Sequence, residues 1–341
     1  MTSVLVRLGV INSGRDHLYL GKWRVDFMSL KNHKSKIAIV AAALIGITTL
    51  VTGSGAANSA GGAQGTIDYA YFTKLGWTPK ANSLPNLSCR DSSYSKAITS
   101  GINLGVYNNA PEMWQVNGKS TGIDFDMNVA VLHYIGVTKI NEVLLQWPQM
   151  IPALLSKRID VIAGDIHENQ DRFKVIAFTT PAWWYSTTLM VKKDSTKSVK
   201  TWADLQKSGI KVGTIAGSYP QEALSKLTPK PDLTTFASDT DEFQALVSGK
   251  IDVAVHDSPV EAAFALANPS ANLKILNPTT AATPEDFQDP YARFAVRPAD
   301  CTLLGAYNRA LQELRDHGIF TKILAKYGLD ADALYEPAYR P

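Results

Sequence analysis

Cysteine is nearly absent from this chain of 341 residues: Cys89 and Cys301 are the whole supply. Two thiols cannot make a disulfide-dense scaffold or a four-cysteine metal site, which leaves one bridge or two buried thiols. Charge of one sign is scarce as well. Lys and Arg number 34 against 31 Asp and Glu, a formal net charge of +3, and no basic run interleaved with aromatics stands out. A nucleic-acid surface is therefore not expected. No apolar stretch reaches the roughly twenty residues of a spanning helix. There is no Gly-x-Ser-x-Gly nucleophile turn and no local His/Cys/carboxylate cluster with metal-ligand spacing, so neither a cofactor nor a metal is expected. What is present is ordinary globular material, 45% hydrophobic and 19% charged, long enough for two cores.

The first 60 or so residues read differently from the rest. Lys31, Lys34 and Lys36 precede the apolar run Ile37 to Val51, and Gly, Ser and Ala follow through Ala63. These are the three regions of a secretory signal, with Ser54-Gly55-Ala56 or Asn58-Ser59-Ala60 as cleavage sites. Met28 sits where such signals begin, so residues 1–27 read as an over-extended start. No Cys follows the run, which argues against lipid attachment there. Export to the periplasm or another extracytoplasmic space is the expectation, and that compartment permits a Cys89–Cys301 bridge.

The most informative pattern is a repeat. Ala153-Leu-Leu-Ser-Lys-Arg-Ile-Asp-Val-Ile-Ala-Gly-Asp165 is echoed by Ala245-Leu-Val-Ser-Gly-Lys-Ile-Asp-Val-Ala-Val-His-Asp257. Each copy reads as a helix end, a tight turn and a short apolar strand finishing on a carboxylate. Ligands of open α/β sheets bind beyond the carboxyl ends of the strands. Two copies therefore suggest two similar lobes facing one cleft, although each Asp could instead cap the next helix.

Apolar spacing along the chain predicts strands at 102–107, 142–146, 211–215 and 294–297. Helices are expected at 124–135, 148–155, 201–207, 221–227 and 241–248, with closing helices over 302–327 split near Gly318. Residues 65–97 show no clear period and read as a lead-in. The expected organisation is a signal region over 1–60, the lead-in over 61–97, one lobe from 98–182 with 295–335, and a second from 192–285. Extended crossings at 183–191 and 286–294 would join them.

Several segments together resemble a known family. They are Gly122-Ile-Asp-Phe-Asp-Met, the stretch from Trp147 through Ile162, Asp171-Arg172 followed by Phe178-Thr-Thr-Pro181, Val212 to Ser218, Ile251 to Asp257, and Ala310 to Gly318. In this order they are similar to the family 3 extracellular solute-binding proteins, the polar amino-acid receptors of ABC transporters. The resemblance implies a periplasmic-binding-protein-like clamshell, two α/β lobes joined by two hinge strands. It further implies a monomer that binds a small polar zwitterion and delivers it to an ABC permease.

The resemblance also assigns residues. Arg172 holds the place of the family's carboxylate-binding arginine, a role its planar fork suits, and Asp257 that of the acid receiving the α-ammonium. Trp147 matches an aromatic wall, and Ser218 lies in a turn able to meet the ligand carboxylate. Asn109 occupies the first loop, where relatives commonly carry an aromatic, with Trp114 as its substitute. The chain departs from the family at Asp165 and His167, where relatives have small or hydroxyl residues. Asp165 is expected either to select a second cationic group on the ligand or to pair with Arg172 in the open form. A cyclohexadienyl-dehydratase-like enzyme on the same fold is the alternative, with Asp165, His167, Asp257 and Glu261 as acid or base.

Overall fold

The computed structural model describes residues 65–80, 89–278 and 291–335. The expected signal region, and residues 286–290 of the second crossing, lie outside the described residues. In chain order come α1 (Tyr69–Lys74), α2 (Ser93–Ser100), β1 (Ile102–Val106), β2 (Trp114–Val116), β3 (Lys119–Thr121) and α3 (Ile123–Tyr134). Next are β4 (Ile140–Leu144), α4 (Met150–Leu155), β5 (Val161–Ile162), α5 (Gln170–Phe173), β6 (Ala177–Phe178), β7 (Trp183–Trp184) and β8 (Thr187–Lys192). They are followed by β9 (Lys211–Ile215), α6 (Tyr219–Lys226), β10 (Asp232–Phe236), α7 (Asp239–Val247), β11 (Val253–Asp257) and α8 (Ser258–Ala267). The described chain closes with β12 (Leu273–Leu276), β13 (Tyr291–Ala292), β14 (Ala295–Val296), α9 (Cys301–Asp316) and α10 (Ile319–Lys326).

Two five-stranded sheets organise these elements, in the orders β4-β1-β5-β14-β6 and β10-β9-β11-β8-β12. In the first, β1 lies parallel between β4 and β5, and β14 returns antiparallel from near the end of the chain. The first lobe is thus built from sequence on both sides of the second. The second sheet repeats the arrangement, with β9 parallel between β10 and β11 and β8 antiparallel to β11 and β12. A single large core serves the first sheet, and two smaller ones serve the second. The β-branched, buried stretch Thr187–Lys192 is a full strand of the second sheet, so the expected crossing at 183–191 divides. Trp183–Trp184 alone pairs antiparallel with Tyr291–Ala292 in a two-stranded ribbon between the sheets.

The sequence repeat is also a repeat of bonds. Asp160 accepts from the Asn103 N–H at 2.9 Å, and Asp252 accepts from the Lys211 N–H at 2.8 Å. Each aspartate thus ties the start of its strand to the parallel neighbour. The Ser156 and Ser248 hydroxyls each donate to the carbonyl three residues back, both at 3.2 Å. Ile159 and Ile251 then cover Gly105 and Gly213, where any Cβ would strike the isoleucine Cδ1. One turn chemistry and one packing solution occur twice.

The described residues of the lead-in carry α1 and the start of α2. Asp68 caps α1 by accepting from the Tyr71 N–H, and Phe72 is buried. On α2, Tyr94 is buried and its hydroxyl donates to the Ile135 carbonyl at 2.7 Å. At 6 and 8 residues, these helices are too short to show a period and owe their stability to docking.

Candidate functional site

The carboxyl ends of the central strands converge. Tyr107 follows β1, Asp165 lies just past β5, and Asp257 ends β11. Asp165, His167 and Asp257 each place a ligand-capable atom within 4.8 Å of the others, and Glu112, Asp124 and Asp165 do the same. The repeat therefore brings its two terminal aspartates together from opposite sheets. Both oxygens of Asp165 accept from tyrosines, Tyr107 at 2.5 Å and Tyr185 at 2.6 Å. His167 Nε2 meets the same Tyr185 hydroxyl at 2.5 Å, and its ring stacks on Tyr219 of α6.

Four buried carboxylates with so little positive charge cannot all ionise freely. Burial, then the neighbouring Asp165, pushes Asp257 up to about 7. Burial followed by Asp165 also raises Glu112 and Asp124 well above the carboxylate range. Asp165 is raised by burial, against the lowering influence of its tyrosine bonds. Burial and then Arg172 drive His167 down to about 3, so this imidazole is neutral at neutral pH. Burial lowers His256, but Asp239 at 3.0 Å, with Asp257 and Glu242, outweighs it and holds the ring well above its ordinary value. Two oxygens of the group, Asp257 Oδ1 and Glu112 Oε1, are buried without a hydrogen-bond partner. Such a site holds protons where it could hold a cation.

These shifts set a pH dependence. Asp257 near 7 and Glu242 near 8 start from ordinary values of 3.8 and 4.5, so the folded state keeps protons that the unfolded state has released. Stability of the ligand-free protein should fall as pH rises through that window. His167, depressed from 6.5, acts oppositely only below about 6.5, so the fall should be clear between about pH 6.5 and 8. A melting-temperature series checks it, and a flat or rising profile there would contradict these proton positions.

Arg172, on the short helix α5, is buried at 3% exposure, and its carboxylate partner is Glu222 of α6, at 3.0 Å. In this latched arrangement Arg172 does not reach Asp165, both of whose oxygens are held by tyrosines. Arg172 Nη1 also donates to the His167 carbonyl at 2.9 Å, and Nη2 to the Gly217 carbonyl at 3.0 Å. Trp147 donates its Nε1–H to the same Gly217 carbonyl at 3.1 Å and packs against Tyr107. The two sheets are therefore latched together around Gly217. Asn109 is buried beside the cluster and donates to Glu112 at 2.7 Å. Ser218 spends its hydroxyl capping α6, accepting from the Gln221 N–H. Trp114 is not brought to the group and instead meets Tyr327 edge to face. Asp165, His167 and Asp257 have the geometry of a metal trio, yet the Asp165 oxygens and His167 Nε2 already serve hydrogen bonds. Glu112, Tyr107, Tyr185 and Glu222 carry the site but no sequence motif; the two tyrosines have only a place just after a strand, Glu222 a place on the first turn of a helix, and Glu112 lies mid-loop with no such signal.

Two α/β lobes that face each other across charged strand ends define a clamshell solute-binding protein. The chain belongs to the bacterial extracellular solute-binding proteins, family 3, whose family profile matches residues 102–330. It is 30% identical over 211 residues to the L-cystine-binding protein TcyJ of Escherichia coli K12, covering 62% of this chain and 75% of that one. An ancestral arginine-binding protein bound to glutamine superposes with a TM-score of 0.59 at 30% identity, over 66% of this chain and 96% of its own. The ancestral amino acid-binding protein AncCDT-1, a precursor of cyclohexadienyl dehydratase, gives 0.61 at 28% identity, over 70% and 100%.

Proposed function

We propose that this protein is the extracytoplasmic receptor of an ABC importer, capturing an amino acid or similar small polar solute that carries positive charge. The observation that carries this reading is the buried acidic group at the facing strand ends, with two partnerless carboxylate oxygens. A cation entering there replaces protons and satisfies acceptors from both sheets at once. Residues 98–182 with 295–335, and 192–285, act as the moving lobes. The closed form is the one the permease recognises, and the solute favours it by its higher affinity for that state. The signal region is cleaved on export, and the mature protein works as a monomer. Binding occurs without turnover, with Asp165 and His167 holding Tyr185 in the wall of the cleft.

A thermal-shift screen of amino acids, opines and polyamines tests the reading. Cationic members are expected to raise the melting temperature saturably, and more strongly at about pH 8 than at about pH 6, because Asp257 titrates between them. Prephenate and arogenate should be recovered unchanged. If no cationic member shifts the transition, or if either acid is converted, the receptor reading fails.

A further inference from the structure

Glu222 occupies the anion position that Arg172 would offer a solute. A carboxylate gripped with two parallel N–H bonds needs either the Nε/Nη2 edge or the Nη1/Nη2 edge of a guanidinium. Both edges include Nη2. Here one Nη2 bond goes to the Gly217 carbonyl and the other to Glu222 Oε1, both at 3.0 Å. Glu222 Oε2 accepts from Asn169 Nδ2, while Asn169 Oδ1 caps α5 by accepting from the Asp171 and Arg172 N–H groups at 3.0 and 2.9 Å. Glu222 is thus held at both oxygens by one segment of the opposite lobe, through one N–H of Arg172 and one of Asn169, and it takes the Nη2 bond that either two-point grip would need, leaving Arg172 Nε buried without a partner. Around Asp165 the demand is the reverse. Asp257 Oδ1 and Glu112 Oε1 are buried and partnerless around Asp165, while Arg293, the other arginine near His167, is occupied by Glu168 at 3.1 Å.

We propose that the cleft takes a small organic cation with no carboxylate of its own, an amine or guanidine, and that Glu222 supplies from within the chain the anion an amino acid would bring. The proposal rests on the receptor reading and narrows its solute class. An incoming amino acid must displace Glu222 from Arg172, leaving that carboxylate to compete with its own. An amine leaves the Arg172–Glu222 latch intact and adds its charge to the acidic group.

Paired titrations separate these cases. The oxidised full-length mature protein is titrated calorimetrically with agmatine against L-arginine and with 1,4-diaminobutane against L-ornithine, each pair differing by one carboxylate. The amine of at least one pair is expected to bind about tenfold or more tighter than its amino acid. In Glu222→Ala, Arg172 is freed and the preference should shift toward the amino acid by about tenfold or more. Glu222→Gln, which keeps the shape and removes the charge, should shift it in the same direction, and thermal melts confirm folding of both variants. Tighter binding of L-arginine and L-ornithine than of their amines by the parent would overturn the proposal while leaving the receptor reading in place. Unchanged preference in both folded variants would overturn the role of Glu222. Binding of none of the four would overturn this inference and the cationic receptor reading together.

Discussion

Asp257→Asn is expected to bind the cationic solute about a hundredfold more weakly than the parent, the largest loss among single substitutions that preserve side-chain shape. Asp257 ends β11 and reaches the group formed by Asp165 and His167 from the opposite sheet, so it contributes charge to the contact that closure completes. A hydrogen bond to a charged group contributes roughly 1.5–3 kcal/mol, and truncating a buried charge pair costs about 2–5 kcal/mol. At about 1.4 kcal/mol per decade, about 3 kcal/mol, a value common to both ranges, is about two decades. The ligand-free protein should respond the other way. An amide has no proton to retain, so the part of the stability loss near pH 7 that comes from Asp257 should disappear from the melting series. Calorimetric titration with whichever of agmatine or L-arginine binds the parent gives the affinity. A loss under about threefold in a well-folded Asp257→Asn protein would remove Asp257 from the site.

The fold was legible where one physical constraint had been written twice. Ile-Asp-Val in both copies reflects an aspartate that must accept an N–H from a parallel neighbour, and an isoleucine that must cover a glycine there; both needs are local and leave a fixed spacing. Strand Lys211–Ile215 was expected with the bounds it has. By contrast, Asn117-Gly118, both at positive φ between β2 and β3, is a strong hairpin signal, but its strands are only 3 residues long and too short to show a period of their own. Asp232–Phe236 at the sheet edge lacks the apolar run of a buried strand, with only partial burial at Leu233 and Phe236.

The strand-end members of the acidic group leave a mark in the sequence, and the pairings across the cleft leave none. Asp165 and Asp257 close the two repeat copies beyond their strands, where position implies a ligand-facing role, whereas His167 stands out only as a departure from the family pattern. Glu222 sits on the first turn of α6, where an acidic residue is expected simply for the helix dipole. Nothing in its own neighbourhood distinguishes that duty from a bond to Arg172, 50 residues away. The same holds for Glu112, in a loop whose sequence gives no reason for full burial. Pairing across a closure depends on how two lobes meet, a property that no local window contains.

Removing the disulfide should produce the largest change in stability. The structure joins Cys89 to Cys301 with a Cα separation of 5.9 Å across 212 residues of sequence. The bridge pins the segment before α2 to the N-terminus of α9. Closing a loop of that length removes much of the unfolded chain's freedom; removing such a bond costs about 2–5 kcal/mol, with longer loops toward the upper end. Neighbouring bonds soften the loss without replacing the constraint. Asp91 accepts from the Thr302 N–H at 2.8 Å and from its hydroxyl at 2.7 Å, and the Ser93 hydroxyl accepts from the Leu303 N–H at 3.1 Å. The Cys89→Ser, Cys301→Ser protein should therefore still fold, with α2 against α9, but melt on the order of 10 °C lower. Reductant should lower the parent's transition to about that of the variant and leave the variant unmoved. The acidic group lies at the facing strand ends rather than beside this bridge, so solute affinity measured well below the transition should change little. A variant melting within about 2 °C of the oxidised parent would show that the Asp91–Thr302 bonds, and not the sulfur bridge, hold the two ends of the first lobe together.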